Sequence, residues 1–151
     1  MKFTVEKNTL LKSLSHVQSI VEKKNTLPIL SNILLDAKEN SLILSATDMD
    51  ISITEKLNCN IIEEGSITVS AHTLYDIIRK LPDTSEIEII SNDGKIISLR
   101  SGKSKFSLGC LPKKDFPIIE ISDLEIEINI DSHKFLKLMD KTRFAISNEE
   151  T

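Results

Sequence analysis

The chain has 151 residues, of which 40% are hydrophobic and 28% are charged, and its formal net charge is −4. This composition predicts a soluble globular protein and excludes a membrane-spanning helix, because no apolar run approaches the roughly 20 residues that such a helix needs. The first residues, MKFTVEKN, lack the apolar core of a secretory signal, so the expected location is the cytoplasm.

Residue types that carry chemistry are sparse and scattered. Cys59 and Cys110 match no metal-ligand or redox spacing, and we interpret both as structural, reduced thiols rather than reactive ones. No two histidines have zinc-ligand spacing, and no phosphate loop or activated nucleophile is recognisable. Asp48 and Asp50 could suggest a Mg²⁺ site, but their place between two strands favours a turn. We therefore predict no catalytic residue, no metal and no cofactor.

The first part of the chain predicts a β-α-β-β-β unit. Lys2–Glu6 is a strand, and residues 8–21 form an amphipathic helix whose N-cap is Asn8 or Thr9. Three runs rich in strand formers follow, at residues 29–37, 41–47 and 51–57.

The exposed side of this first helix carries no carboxylate. It shows Lys12 and His16 among small polar residues, and the next loop, residues 22–26, adds Lys23 and Lys24. Two interpretations remain open for this pattern: chance composition over a short window, or a surface kept free of negative charge for a polyanion.

The second part, residues 66–111, repeats the same order of elements. A strand precedes a helix over residues 71–81, on which Leu74, Ile77, Ile78 and Leu81 share one face. Three strands follow, joined by turns at residues 92–94 and 101–102, whose Asn, Asp and Gly residues tolerate positive φ. In the last strand, Lys103 and Lys105 point to one side and Phe106 and Leu108 to the other.

A third copy of the unit begins near the end of the chain. Residues 125–130 are predicted to form a strand and residues 131–144 an amphipathic helix, after a proline-containing segment with a domain boundary near residues 121–124. The prediction is a first domain over residues 1–121, followed by a linker and the incomplete beginning of a second domain over residues 122–151. A lone strand and helix offer little to cover Phe135, Leu136 and Met139, so we expect this segment either to be poorly anchored or to make unusual contacts, for example with another copy of the chain.

These elements predict an α+β fold, with two β-α-β-β-β units whose two helices pack on one face of an antiparallel sheet. The predicted helices carry net positive charge although the whole chain is acidic. If the helices share one face of the molecule, that face is positive.

Five stretches resemble one known family, and the resemblance covers nearly the whole chain in order. The family is the bacterial sliding clamp, the β subunit of DNA polymerase III, and the match is to its N-terminal domain and the start of its second domain. The stretches are MKFTVEKNTLLKSLSHV, TLPILSNILLDA, ATDMDISI, RSGKSKFSLGCLP and DFP.

The resemblance implies a DNA-clamp fold and a non-catalytic processivity factor. In this family a homodimeric ring encircles duplex DNA without sequence preference and tethers the replicative polymerase, with helices lining the hole. The cleft that receives polymerase III and the clamp loader lies between the second and third domains, so this chain is not expected to contain it. The ending SNEET suggests a truncated product or a fragment, and the sequence does not distinguish these.

The resemblance also implies two sets of site residues. The expected DNA contacts include His72, which stands where relatives have Arg and is only fractionally charged at neutral pH. The full set of expected DNA contacts is Lys24, His72, Arg79, Lys137, Lys141 and Arg143. The expected subunit interface is the edge strand with Lys103, Lys105, Phe106 and Leu108, where lysines could equally guard the edge against aggregation. The alternative for the whole chain is an interaction module that does not bind nucleic acid.

Overall fold

The computed structural model describes residues 1–21, 27–83, 85–118 and 128–147. The chain divides into two compact units, Met1–Ile119 and Glu120–Thr151, and each is treated by itself below. The predicted domain boundary at residues 121–124 lies outside the described residues and stays a prediction. No helix in the described part of the chain is long and apolar enough to cross a membrane.

The first unit contains the two predicted repeats. The first consists of β1 (Lys2–Glu6), α1 (Lys7–Val17), β2 (Asn32–Lys38), β3 (Ser41–Thr47) and β4 (Ser52–Asn58). A short strand, β5 (Asn60–Glu63), follows directly and was not predicted. The second repeat consists of β6 (Gly65–Ser70), α2 (Ala71–Lys80), β7 (Glu86–Ile90), β8 (Ile96–Ser101) and β9 (Ser104–Leu111).

All the strands join one antiparallel sheet. Within the described residues the sheet has nine strands in the order β4-β3-β2-β6-β9-β8-β7-β1-β5. The two repeats meet where β2 pairs with β6 and where β1 pairs with β7. The two halves of the sheet, β4-β3-β2-β6 and β9-β8-β7-β1-β5, join where β6 pairs with β9, through only two residue pairs, Thr68 with Leu111 and Val69 with Cys110. Consequently β4 and β5 are the end strands of the sheet, and most of β9 has one unpaired edge.

Both helices bury their apolar stripes in the same core. Leu10, Leu14 and Val17 of α1 and Leu74 and Ile78 of α2 are fully buried in one cluster with inward-facing residues of the strands. The two helices also contact each other. The predicted arrangement, with two helices on one face of an antiparallel sheet, is confirmed.

The predicted ends of two elements, the first helix and the strand that follows it, were wrong. The helix predicted for residues 8–21 is α-helical only to Val17 and continues as a 3₁₀ turn over Gln18–Ile20. Its N-cap is Glu6, which makes no side-chain capping bond; Thr9 Oγ1 donates to Glu6 Oε2 at 2.7 Å.

The strand predicted from residue 29 begins only at Asn32. Residues Pro28–Ser31 form a 3₁₀ turn, because Pro28 fixes φ at its first position and Leu30 N–H donates to the Leu27 carbonyl at 3.0 Å.

The predicted turns are confirmed in detail. Gly94 and Gly102 have φ of 68° and 54° in the two hairpin joints of the second repeat. Between β3 and β4, Asp48 Oδ1 accepts hydrogen bonds from Asp50 N–H at 3.0 Å and Ile51 N–H at 2.7 Å. These backbone donors lower the pKa of Asp48 below its usual value, so its carboxylate serves the turn.

In the second unit, α3 (Ser132–Thr142) begins at Asp131, whose Oδ1 caps Lys134 N–H at 3.0 Å, and a 3₁₀ turn over Arg143–Ala145 follows it. Residues 128–130 are not in a strand, contrary to the prediction, and residues 125–127 lie outside the described part. Phe135, Leu136 and Met139 are 50%, 59% and 55% exposed, as expected for a helix with an uncovered apolar side.

Lys7 is buried at the start of α1, although the positive end of a helix is an unfavourable place for a cation. Its ammonium group meets Asp83 Oδ1 at 2.6 Å, and its backbone N–H donates to the Ser85 carbonyl at 3.1 Å. These contacts tie α1 to the segment that follows α2. The same ion pair lowers the pKa of the exposed Asp83 carboxyl.

Replacement of the core residue Leu74 should show how much the packing of α2 against the sheet contributes to the stability of the fold. We expect Leu74→Ala to lower the free energy of unfolding by about 2–5 kcal/mol, because it leaves a cavity where α2 meets the sheet. The exposed Lys80→Ala on the same helix should change it by less than about 0.5 kcal/mol. Urea denaturation of both variants measures the difference, and equal stabilities would contradict the packing described.

The Lys7–Asp83 pair should make stability depend on acidic pH. Since folding lowers the pKa of Asp83, the pair stabilises the fold above the usual aspartate value of about 3.9 and is lost as the pH falls through the lower folded value. We expect Asp83→Asn to be less stable than the parent chain at neutral pH, because Lys7 then lies buried opposite an uncharged amide. The difference in the free energy of unfolding between the two proteins should narrow as the pH falls. A difference that does not depend on pH in denaturation experiments would contradict this account.

Candidate nucleic-acid interface

The exposed side of α2 carries one of the predicted DNA contacts, Arg79. Its guanidinium group is not free, because Nη2 lies 3.2 Å from Asp76 Oδ1 and the group lies 5.6 Å from the centre of the Tyr75 ring. Both partners of the ion pair are more than half exposed, so water and salt screen it strongly. Arg79 can therefore exchange Asp76 for a phosphate at little cost.

His72, at the first turn of α2, has both ring nitrogens engaged within the chain. Nε2 lies 2.9 Å from the Val21 carbonyl, which only accepts, so Nε2 carries a proton. Nδ1 lies 3.0 Å from the side-chain amide of Gln18. The half-buried ring thus joins α2 to the segment that follows α1, and a direct role for His72 at DNA stays a prediction.

The exposed side of α1 contains no carboxylate of its own, but the sheet supplies one. His16 Nδ1 lies 2.8 Å from Glu55 Oε1 of β4, and Lys12 and Thr9 line the same groove between helix and strand. The exposed side of α1 therefore lies beside a carboxylate as well as basic groups. This favours chance composition over a surface kept free of negative charge for a polyanion.

The remaining predicted DNA contacts are in other parts of the chain. Lys24 lies outside the described residues. In the second unit, Lys137 and Lys141 are exposed and share one stripe of α3, since they are four positions apart, whereas Arg143 lies in the 3₁₀ turn after the helix. The structure thus brings His72 and Arg79 together on one helix and Lys137 and Lys141 on another.

The predicted subunit interface lies on the unpaired edge of β9. Phe106 and Leu108 are half-buried against the core, whereas Lys105 is exposed on the opposite face of the strand. Lys103 lies in the turn before β9 and is exposed. Within the described residues neither lysine has an ion-pair partner.

Backbone groups of β9 are available on this edge. The N–H of Cys110 donates to the Lys95 carbonyl at 2.8 Å, so every second residue of β9 bonds to β8. The backbone N–H and C=O groups of the intervening residues, Lys105, Ser107 and Gly109, point away from β8. Since β6 reaches only Cys110 and Leu111, this stretch can accept another strand.

The described residues contain no group of three His, Cys, Asp or Glu side chains that could hold a metal ion. Burial raises the pKa of Cys59 and raises that of Cys110 to about 11, which disfavours the reactive thiolate form of both at neutral pH. This agrees with their interpretation as structural cysteines.

Sequence reasoning missed the partners that restrain these side chains. The Asp76–Arg79 pair has the i, i+3 spacing of a helical ion pair, and this signal was present in the sequence. The engagement of His72 by Gln18 and Val21 joins residues about 50 positions apart and has no local signal.

Comparison with known proteins supports one family. Residues 1–120 match the family described as DNA polymerase III beta subunit, N-terminal domain. The beta sliding clamp of Caulobacter vibrioides is 48% identical over 152 residues, which include 100% of this chain and 41% of that protein. A beta sliding clamp sequence of Vibrio harveyi is 40% identical over 146 residues, which are 96% of this chain and the whole of that sequence.

Solved structures agree with the sequence comparison. The pol III beta structure of Caulobacter crescentus matches with a TM-score of 0.94 and 48% identity, and covers 100% of this chain and 41% of that one. A sliding clamp of Pseudomonas aeruginosa, solved with griselimycin bound, also matches at 0.94 with 34% identity over 100% of this chain and 41% of its own. The chain thus spans about 41% of the length of these two solved clamps and of the Caulobacter vibrioides protein, and the predicted clamp fold is confirmed. By sequence and by structure, this chain belongs to the DNA polymerase III β subunit family.

Proposed function

We propose that this chain is the DNA-facing first portion of a sliding clamp, a non-catalytic processivity factor that encircles duplex DNA and tethers the replicative polymerase. The observation that carries the proposal is the 0.94 TM-score over the whole chain to structures of DNA polymerase sliding clamps. The complete protein would act as a homodimeric ring in the cytoplasm. Polymerase III and the clamp loader would bind residues beyond those present here.

The geometry of α2 supports weak, sequence-independent contact with DNA. Arg79 is exposed and held only by a screened pair with Asp76, so it can meet a phosphate without reading a base. Lys24, His72, Lys137, Lys141 and Arg143 are proposed as further contacts. Six proposed phosphate contacts on a chain with a net charge of −4 should give a low affinity for DNA. Such a low affinity suits a protein that must slide along the duplex.

The edge of β9 supports the proposed subunit joint. An unpaired strand with half-buried Phe106 and Leu108 can extend its sheet into that of a partner subunit, and Lys103 and Lys105 favour an acidic partner strand. Their second role, as guards against non-specific pairing, is compatible with this one.

Direct titration with DNA should show the weakness of the contacts. We expect this chain to give almost no anisotropy change with linear duplex at ~150 mM salt, because a handful of phosphate contacts should bind at or beyond the weak end of the non-specific range, about 10⁻⁴ M. Lowering the salt should strengthen binding for every duplex sequence alike. Sub-micromolar affinity at physiological salt would contradict the diffuse contacts proposed here.

A chimeric clamp tests the function itself. Residues 1–151 would replace the aligned segment of the Caulobacter vibrioides clamp, to which they are 48% identical. We expect the chimera to form a ring, to support processive synthesis and to stay on circular plasmid until a restriction enzyme linearises it. The matched control, Lys103→Glu with Lys105→Glu in the same chimera, should weaken the ring and lose this retention.

The alternative, an interaction module that does not bind nucleic acid, predicts a different outcome. A folded chimera that leaves circular and linear plasmid at the same rate would contradict the clamp proposal.

A further inference from the structure

The helices of the first unit carry a single negative charge. Over α1, the 3₁₀ turn after it and α2, which are residues 7–20 and 71–80, the only carboxylate is that of Asp76. The same residues include the exposed basic side chains of Arg79 and Lys80. A surface that contacts phosphates would bind them more tightly without Asp76, so the presence of this carboxylate needs a reason.

The stability of α2 does not supply that reason. Asp76 is the sixth of the ten residues of the helix, so it neither caps the helix nor lies in the first turn, where a carboxylate would interact favourably with the helix dipole. Aspartate is a poor helix former at such an interior position. Its side chain is 57% exposed and lies outside the buried core.

The carboxylate of Asp76 acts on Arg79, which lies one turn later on the same side of α2. Asp76 Oδ1 lies 3.2 Å from Arg79 Nη2, and the guanidinium group lies 5.6 Å from the centre of the Tyr75 ring. Because Tyr75 is half-buried against the core, its ring is a fixed support. Asp76 and Tyr75 therefore hold the guanidinium group back over the preceding turn, beside a groove that Gln18 and His72 also line.

A phosphate that approaches Arg79 must compete with this carboxylate. Arginine binds phosphate most strongly through two parallel N–H groups, and Nη2 already donates to Asp76. The negative charge of Asp76 also repels the phosphate. Because both side chains are more than half exposed, water and salt limit this opposition to a modest factor. The contact between Arg79 and a phosphate therefore forms, but it is weakened.

We propose that Asp76 is a positioning residue that keeps the contact of Arg79 with DNA weak, so that the contact breaks readily when the protein moves along the duplex. This inference rests on the proposed function, in which retention on DNA depends on a closed ring rather than on tight binding. Asp76 reads no base and sets no sequence preference. It limits the affinity of one phosphate contact.

Titration of the 151-residue chain with fluorescent linear duplex at ~50 mM salt tests the proposal, because phosphate contacts strengthen steeply as the salt falls. We expect Asp76→Asn to bind about two- to fivefold more tightly than the parent chain, which is the range expected for the loss of one exposed ion pair. Asp76→Glu keeps the negative charge and should bind as the parent chain does. Thermal unfolding by circular dichroism verifies that each variant is folded.

Asp115→Asn is the matched control, because it removes one exposed carboxylate from the opposite face of the sheet. Asp115 lies in a 3₁₀ turn whose Lys113 pairs with Asp36 at 2.8 Å, and Asp36 alternates along β2 with residues buried under the helices. The control changes the net charge by the same amount as Asp76→Asn. It should leave the DNA affinity unchanged, because salt at this concentration screens charges beyond roughly 10–30 Å.

A double-mutant cycle gives the decisive result. If Asp76 acts through Arg79, Asp76→Asn should give no gain in affinity in a chain that also carries Arg79→Gln. A gain that persists without Arg79, or one no larger than that of Asp115→Asn, would overturn this inference and leave the proposed function intact. A parent chain that does not bind duplex even at ~50 mM salt would overturn the proposed function as well.

Discussion

The structure depends on the burial of two apolar helix stripes against one continuous sheet. Leu14 of α1 and Leu74 of α2 are fully buried in a single cluster, and the two helices touch each other. Neither stripe could leave water without the sheet, since the gain from removing apolar surface from water is proportional to the area covered. The polar residues of both helices must then share the opposite, exposed side. The placement of Arg79 on that side follows from core packing rather than from any local preference for DNA.

The same packing leaves the sheet incompletely paired. The two halves of the sheet meet through only two residue pairs of β6 and β9, so within the described residues β9 keeps an unpaired edge whose inward residues, Phe106 and Leu108, are only half covered. Such an edge invites non-specific pairing, which the exposed charges of Lys103 and Lys105 oppose. In the proposed subunit joint the same lysines would also favour an acidic partner strand.

Local patterns in the sequence were enough to predict the repeats, the hairpin turns and the position of both helices. Strand and helix periodicities differ, and Gly94 and Gly102 mark turns that need positive φ. The short strand β5 was missed because only Cys59 separates it from β4 and no turn residue announces it. The burial of Lys7 and the engagement of His72 were also missed, because Asp83 and Val21 are distant in sequence and only the tertiary fold brings them close. Family resemblance, rather than pattern, suggested the site residues.

The most direct measurement of the central claim is site-specific cross-linking inside the chimeric clamp loaded on circular DNA. Arg79→Cys on α2 and Thr54→Cys on the outer side of β4 would each carry a thiol-linked photoactivatable group. Burial raises the pKa of both Cys59 and Cys110, which should slow their labelling relative to the introduced thiols. The account predicts cross-links to DNA from position 79 and none from position 54. Equal cross-linking from both positions, or cross-links from position 54 alone, would show that the helix side does not face the duplex.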